Sequence, residues 1–141
     1  MMTELQKEAI SLAAINCGLP PQSVNGSINT GTIDMSKFNR GGFIVSSAGT
    51  ANAYLKQSAN ANGAGATNMQ SSPQNAAAVN TNGFVTLECR SDEMTSRYLL
   101  CQIVTDAAAS TCAVGIGTEP RFGPANASDN AFVATRLVCN I

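Results

Sequence analysis

The stretch Ser27–Ser47, SINTGTIDMSKFNRGGFIVSS, decides how the rest of the chain is read. Two apolar, strand-like runs, Ser27–Ile33 and Gly42–Ser47, flank a polar corner, Asp34-Met35-Ser36-Lys37-Phe38-Asn39-Arg40-Gly41-Gly42. Asp, Ser, Asn and Gly favour turns because their side chains bond the local backbone or leave it free to turn. The β-branched residues on either side favour strands. The corner also holds Asp34, Lys37 and Arg40, a good share of a small supply of charge.

Working outward, the chain repeats this pattern. Ala51–Ser58, ANAYLKQS, alternates Ala53, Leu55 and Gln57 against Tyr54 and Lys56, which predicts a third strand. Gly49-Thr50 before it suits a tight hairpin. Residues 59–82 are nearly all Asn, Ala, Gly, Ser, Gln and Thr. They read as a long polar loop, with room for one irregular edge strand near Thr67–Gln70. Gly83–Arg90 alternates again, with Val85, Leu87 and Cys89 on one face. Ser91–Ser96 reads as a polar crossing with one helical turn capped by Ser91. Arg97–Thr105 is the most apolar strand, Ala107–Ser110 a turn, and Thr111–Gly117 a further strand. A loop follows at 118–130, and Ala131–Ile141 reads as a last strand. Upstream, Thr3–Cys17 has Leu5, Ala9 and Leu12 at helical spacing, with Gly18 and Pro20-Pro21 to end the helix.

The expected fold is therefore all-β: a two-layer β-sandwich of about seven strands, with jelly-roll topology as one arrangement, preceded by a short N-terminal helix or arm. The domain division is 1–22 for the helix or arm and 23–141 for the sandwich.

Composition bounds the function. The chain has 141 residues, enough for one domain with a real core. Charged residues make up 12%, roughly half the usual quarter. So few charges suit a protein packed against neighbours better than a freely diffusing monomer. Net charge is −1 and no basic stripe is present, which argues against nucleic acid as a partner. With no His, the commonest general base and metal ligand is missing. No phosphate loop, nucleophile elbow or zinc-protease motif occurs. Asp92-Glu93 reads as a solvated turn, and no carboxylate pair is singled out for glycoside chemistry. The expectation is a non-enzymatic protein with no catalytic residue, cofactor or metal.

Five cysteines, Cys17, Cys89, Cys101, Cys112 and Cys139, lack zinc-site spacing. Four of them share the phase of apolar strand residues and read as small buried hydrophobes, with a disulfide left open as the alternative. No signal peptide and no apolar run of membrane-spanning length is seen. Synthesis in a reducing cytoplasm, without membrane contact, is the expectation.

Two charge constellations remain: Asp34, Lys37 and Arg40 in the corner, and Glu119-Pro120-Arg121-Phe122 after the Gly-containing strand. Each shapes a turn locally or places an Arg at a subunit contact, where a bidentate carboxylate would fix register.

These residues also carry a resemblance. Thr32–Arg40 followed by Gly42-Phe43-Ile44-Val45 resembles an "iDMSKF.R" corner in small structural proteins of tailed phages and prophages. Val85–Arg90 before Arg97-Tyr98-Leu99 is similar to a second block of that pattern. Gly115–Ala125, with Glu119-Pro120-Arg121-Phe122 at its centre, is similar to a third. The resemblance runs from about residue 27 onward and leaves out the N-terminal helix. Some of these proteins resemble head decoration, or cement, proteins. The resemblance implies a β-sandwich homotrimer on the capsid exterior that binds the major capsid protein and stabilises the assembled head. It makes Asp34, Lys37, Phe38, Arg40, Glu119, Arg121 and Phe122 interface or architectural residues. A tail-associated or receptor-binding β-module is the alternative, and a carbohydrate-active β-sandwich enzyme the third reading.

Overall fold

The computed structural model describes residues 13–69, 77–79 and 82–121. Among them are eight strands and one short 3-10 turn: β1 Ala13–Asn29, β2 Ile33–Asp34, β3 Phe38–Ser47, β4 Ala51–Ser58, β5 Thr67–Asn68, β6 Ala77–Val79, β7 Gly83–Arg90, the turn Ser91–Glu93, and β8 Tyr98–Pro120. The all-β expectation holds. All pairings are antiparallel, within one eight-stranded sheet.

β8 is the spine. At 23 residues it would span ~75 Å if straight. Its first part, Tyr98–Thr105, pairs with β4, and its last part, Thr111–Pro120, pairs with β3. β1 follows it along the opposite edge, from Ala13↔Thr118 to Asn29↔Gln102. β3 and β4 run in line along the same side of β8, so no hairpin forms at Gly49-Thr50. Residues 48–50 are a corner at which that line bends with β8, held by Ala48 N donating to Ser110 O at 2.8 Å. The sheet thus folds over at one bend and makes two layers, β1–β8–β3–β7 and the half built on β4 and the start of β8. Strands that pass from one layer to the other through bends or bulges are the usual way to turn such a corner.

The bend has its own chemistry. β1 shifts register between Val24 and Gly26, and Gly26 takes φ +97°, open to glycine without strain. The buried Thr105 hydroxyl donates to Val24 O at 3.0 Å and accepts from Gly26 N at 3.1 Å. It replaces ladder bonds that the bulge breaks. Opposite, the buried Ser47 and Thr111 hydroxyls lie 3.1 Å apart.

The core lies between the layers. Leu99, Cys101 and Ile103 of β8 are fully buried, with Phe43 and Val45 of β3, Ala53 of β4, and Val79 in one cluster. Gly41 of β3 faces Met35 closely enough that a side chain there would displace the Met35 thioether, and Leu99 packs alongside. Gln57, also buried, accepts from Thr95 N at 2.8 Å and Ser96 N at 3.0 Å, which fastens the crossing between β7 and β8 onto β4.

Other expectations need correction too: β1 ends at Asn29 rather than Ile33, β3 begins at Phe38 rather than Gly42, and β8 runs to Pro120, into the loop expected from residue 118. Residues 13–17, expected as the end of a helix, are strand, and β1 runs on through the expected boundary at residue 22. Gly18 and Pro20-Pro21 do not stop it, because β1 lies at a sheet edge with register shifts between Asn16 and Leu19 and between Leu19 and Gln22. An edge or bulge position tolerates proline's missing N–H. The turn expected at Ala107–Ser110 is the bend inside β8. The 3-10 turn is capped by Arg90 rather than Ser91, with Glu93 Oε2 accepting from Arg90 N at 3.0 Å. The rest of the expected helix and the strand at 131–141 fall outside the described residues.

Candidate functional site

The corner Asp34–Phe38 closes the fold opposite the bend. β2 pairs with the start of β8 (Asp34↔Tyr98), and β3 pairs with its end (Phe38↔Pro120). Asp34 and Phe38 are separated by at most ~14 Å of chain. One short turn therefore ties together the two ends of a strand that would otherwise span several times that distance. Met35 N donates to Arg97 O and Arg121 N donates to Lys37 O, each at 2.9 Å.

Asp34 organises the turn. Its Oδ1 accepts from Ser36 N at 3.1 Å and from Ser36 Oγ at 2.7 Å. Arg97 grips the same carboxylate with Nε on Oδ1 and Nη2 on Oδ2, each at 2.9 Å. The Arg97 guanidinium, helped by the Ser36 hydrogen bonds, outweighs partial burial and holds the Asp34 carboxyl at about 2, against an ordinary 3.8. Arg97 also lies 5.2 Å from the centre of the Tyr98 ring. Sequence proximity pointed to Lys37 and Arg40 as companions of Asp34, whereas the partner that grips it comes from the far side of the chain.

Arg40 points outward from β3 between two carboxylates. Its Nη1 is 4.0 Å from Glu88 Oε1 of β7, and its Nε is 4.0 Å from Glu119 Oε1 of β8. The two charge constellations seen in the sequence are thus one cluster in space. Both ion pairs are long, and the buried Arg40 Nε has no hydrogen-bond partner. Glu119 takes φ +53°, an uncommon conformation for a residue with a side chain. Arg121 bonds the Ser91 hydroxyl, and Arg90 lies 3.6 Å from Asp92.

Gly42 lies beside Arg40. A Cβ there would run into the Leu87 carbonyl and the Glu88 backbone, so the close approach of β3 and β7 requires glycine. The resulting shallow groove, of about 330 Å³, is lined by Arg40, Ile44, Thr86, Glu88, Ile116 and Thr118 among others.

Of the remaining expected site residues, Lys37 is exposed in the turn. Phe38 is buried, its ring against Gly117, so its part is architectural. Phe122 lies outside the described residues. Arg97, Glu88 and Ile44 were not foreseen, since only the strand register brings them to the corner and the groove. Among the described residues no cluster of three or more Cys, Asp or Glu could hold a metal ion. Cys89 and Cys101 are buried free thiols, each pushed up to about 12, mainly by burial. No described helix is long and apolar enough to cross a membrane.

Neither a family model nor a curated protein matches the chain. Among solved structures, it is similar to the crystal structure of PBSX exported protein XepA, with a TM-score of 0.55 and 11% identity. The match covers 100% of this chain and 46% of that protein, so the chain spans about half its length. At this identity the likeness is one of fold.

Proposed function

We propose that the chain is a non-enzymatic structural protein of a tailed-phage particle, a decoration or cement protein that binds the major capsid protein on the outside of the assembled head as a homotrimer. The observation that carries this reading is the fold match over the whole chain to part of PBSX exported protein XepA. The corner and the two later blocks that resemble phage structural proteins support it. Low charge and an all-β fold suit a protein whose work is to cover and bridge a surface. A ligand that binds only the assembled shell stabilises that shell by mass action. Three linked subunits turn weak single contacts into avidity.

The test is co-sedimentation of the purified chain with heads of its parent phage that lack it. Saturable binding, with a higher temperature of head disruption, is expected. No binding to intact heads contradicts the reading. The name of the structural neighbour favours a second reading, a phage protein exported from the cell rather than mounted on a particle. Finding the chain in the culture supernatant and not on purified particles would establish that instead.

A further inference from the structure

The outer face of the β1–β8–β3–β7 layer is apolar in a way the rest of the described surface is not. Ile15, Ile44, Phe84 and Val114 are the exposed large hydrophobics among the described residues, and Phe84 is 73% exposed. They come from four different strands, yet the register gathers them on one face. Ile15 lies beside Ile116, Val114 beside Ile44, and Ser46 between Cys112 and Phe84. Scattered exposed hydrophobes need no explanation, but a contiguous patch marks a contact surface. Four strands by the length of β3 give a face of roughly 20 Å by 33 Å, or ~650 Å². A specific interface needs about 800 Å² per partner, so this face supplies most of one.

The rim indicates the occupant. Arg40 and Arg90 sit next to Glu88 and Glu119, so positive and negative charge balance within one small area. A strongly basic or acidic partner would meet like charge here. A copy of the same surface would bring carboxylates to arginines and arginines to carboxylates.

We propose that this face is where one copy of the chain docks on another, with Ile44 and Val114 at the centre of the contact and Phe84 and Arg40 toward its rim. The proposal rests on the decoration-protein reading only for the number of copies.

The test is analytical ultracentrifugation of the whole chain and of three variants. Ile44→Lys and Phe84→Lys place a charge on the face. Ala107→Lys places one at the exposed bend. Wild type and Ala107→Lys are expected to associate, and both face variants to associate at least tenfold more weakly. Unfolding midpoints at dilutions where wild type is monomeric report the fold separately, and Phe84, being the most exposed, is the variant least tied to the core. A wild-type chain that stays monomeric at the highest concentration reached overturns the proposal, as do face variants that associate like wild type. Loss of head binding by Ile44→Lys in a monomeric wild type assigns the face to the capsid instead, and also overturns it. A dimer abolished by both face variants supports the face and contradicts the trimer.

Discussion

Asp34 and Arg97 meet in a two-pronged ion pair, each carboxylate oxygen 2.9 Å from a different guanidinium nitrogen. The pair fixes the turn after β2 to the start of β8, while Arg121 N on Lys37 O fixes the same turn to the residue after β8. Side-chain chemistry at one corner therefore helps to keep the folded-over sheet closed.

Asp34→Asn is expected to lower stability by about 1 kcal/mol at neutral pH, a modest loss because the pair is open to solvent on one side. The pH dependence has a definite sign. The folded carboxyl titrates at about 2, below its unfolded 3.8, so its contribution is fully present above about pH 4 and is lost as pH falls through 2. Urea midpoints of wild type and Asp34→Asn should differ at pH 7, and the difference should shrink steadily as pH falls from about 4 to 2. A difference as large at pH 2 as at pH 7 contradicts this role.

At the opposite end, Thr105→Val removes a hydroxyl that serves both Val24 O and Gly26 N. The side-chain shape is kept, so the loss reports the hydrogen bonds. We expect about 1–3 kcal/mol of destabilisation by chemical unfolding. An unchanged midpoint would mean that the bend does not depend on this bridge.

Two adjacent glycines should respond differently. Alanine at Gly42 meets the backbone of β7, which cannot move without breaking a ladder, whereas alanine at Gly41 meets the flexible end of Met35. Gly42→Ala is expected to cost about 1–3 kcal/mol, and Gly41→Ala less. Thermal unfolding of the two variants decides, and the reverse order would contradict the strand spacing described.

In a Cys139→Ser background, a thiol reagent should label Cys17 and Cys112, which are half-buried, well before Cys89 and Cys101. The latter pair is buried and held as neutral thiols to about pH 12, so they should react only on unfolding. Peptide mapping of the labelled sites checks the order.

Strands with clean alternation were legible from the residues. Ala51–Ser58 and Gly83–Arg90 coincide with β4 and β7, and the edge strand foreseen near Thr67–Gln70 begins at β5. What misled was local chemistry overridden by tertiary pairing. Ala107–Ser110 has the composition of a turn, but β8 continues through it with Asp106–Ala108 facing solvent at the bend. Ala13 and Ala14 are strong helix formers, yet pairing with β8 makes them strand. The site shows the same division. Asp34, Arg40 and Glu119 stood out as scarce charges, but Arg97 and Glu88 join them only through register, which a single sequence does not reveal.

The central claim is that this fold covers a phage head, and a cryo-electron microscopy reconstruction of the parent particle tests it most directly. The account expects density for this chain on the capsid exterior, three copies about a threefold axis, with the Ile44–Phe84 face turned toward a neighbouring copy. A complete particle with no copy of the chain on its head would contradict it.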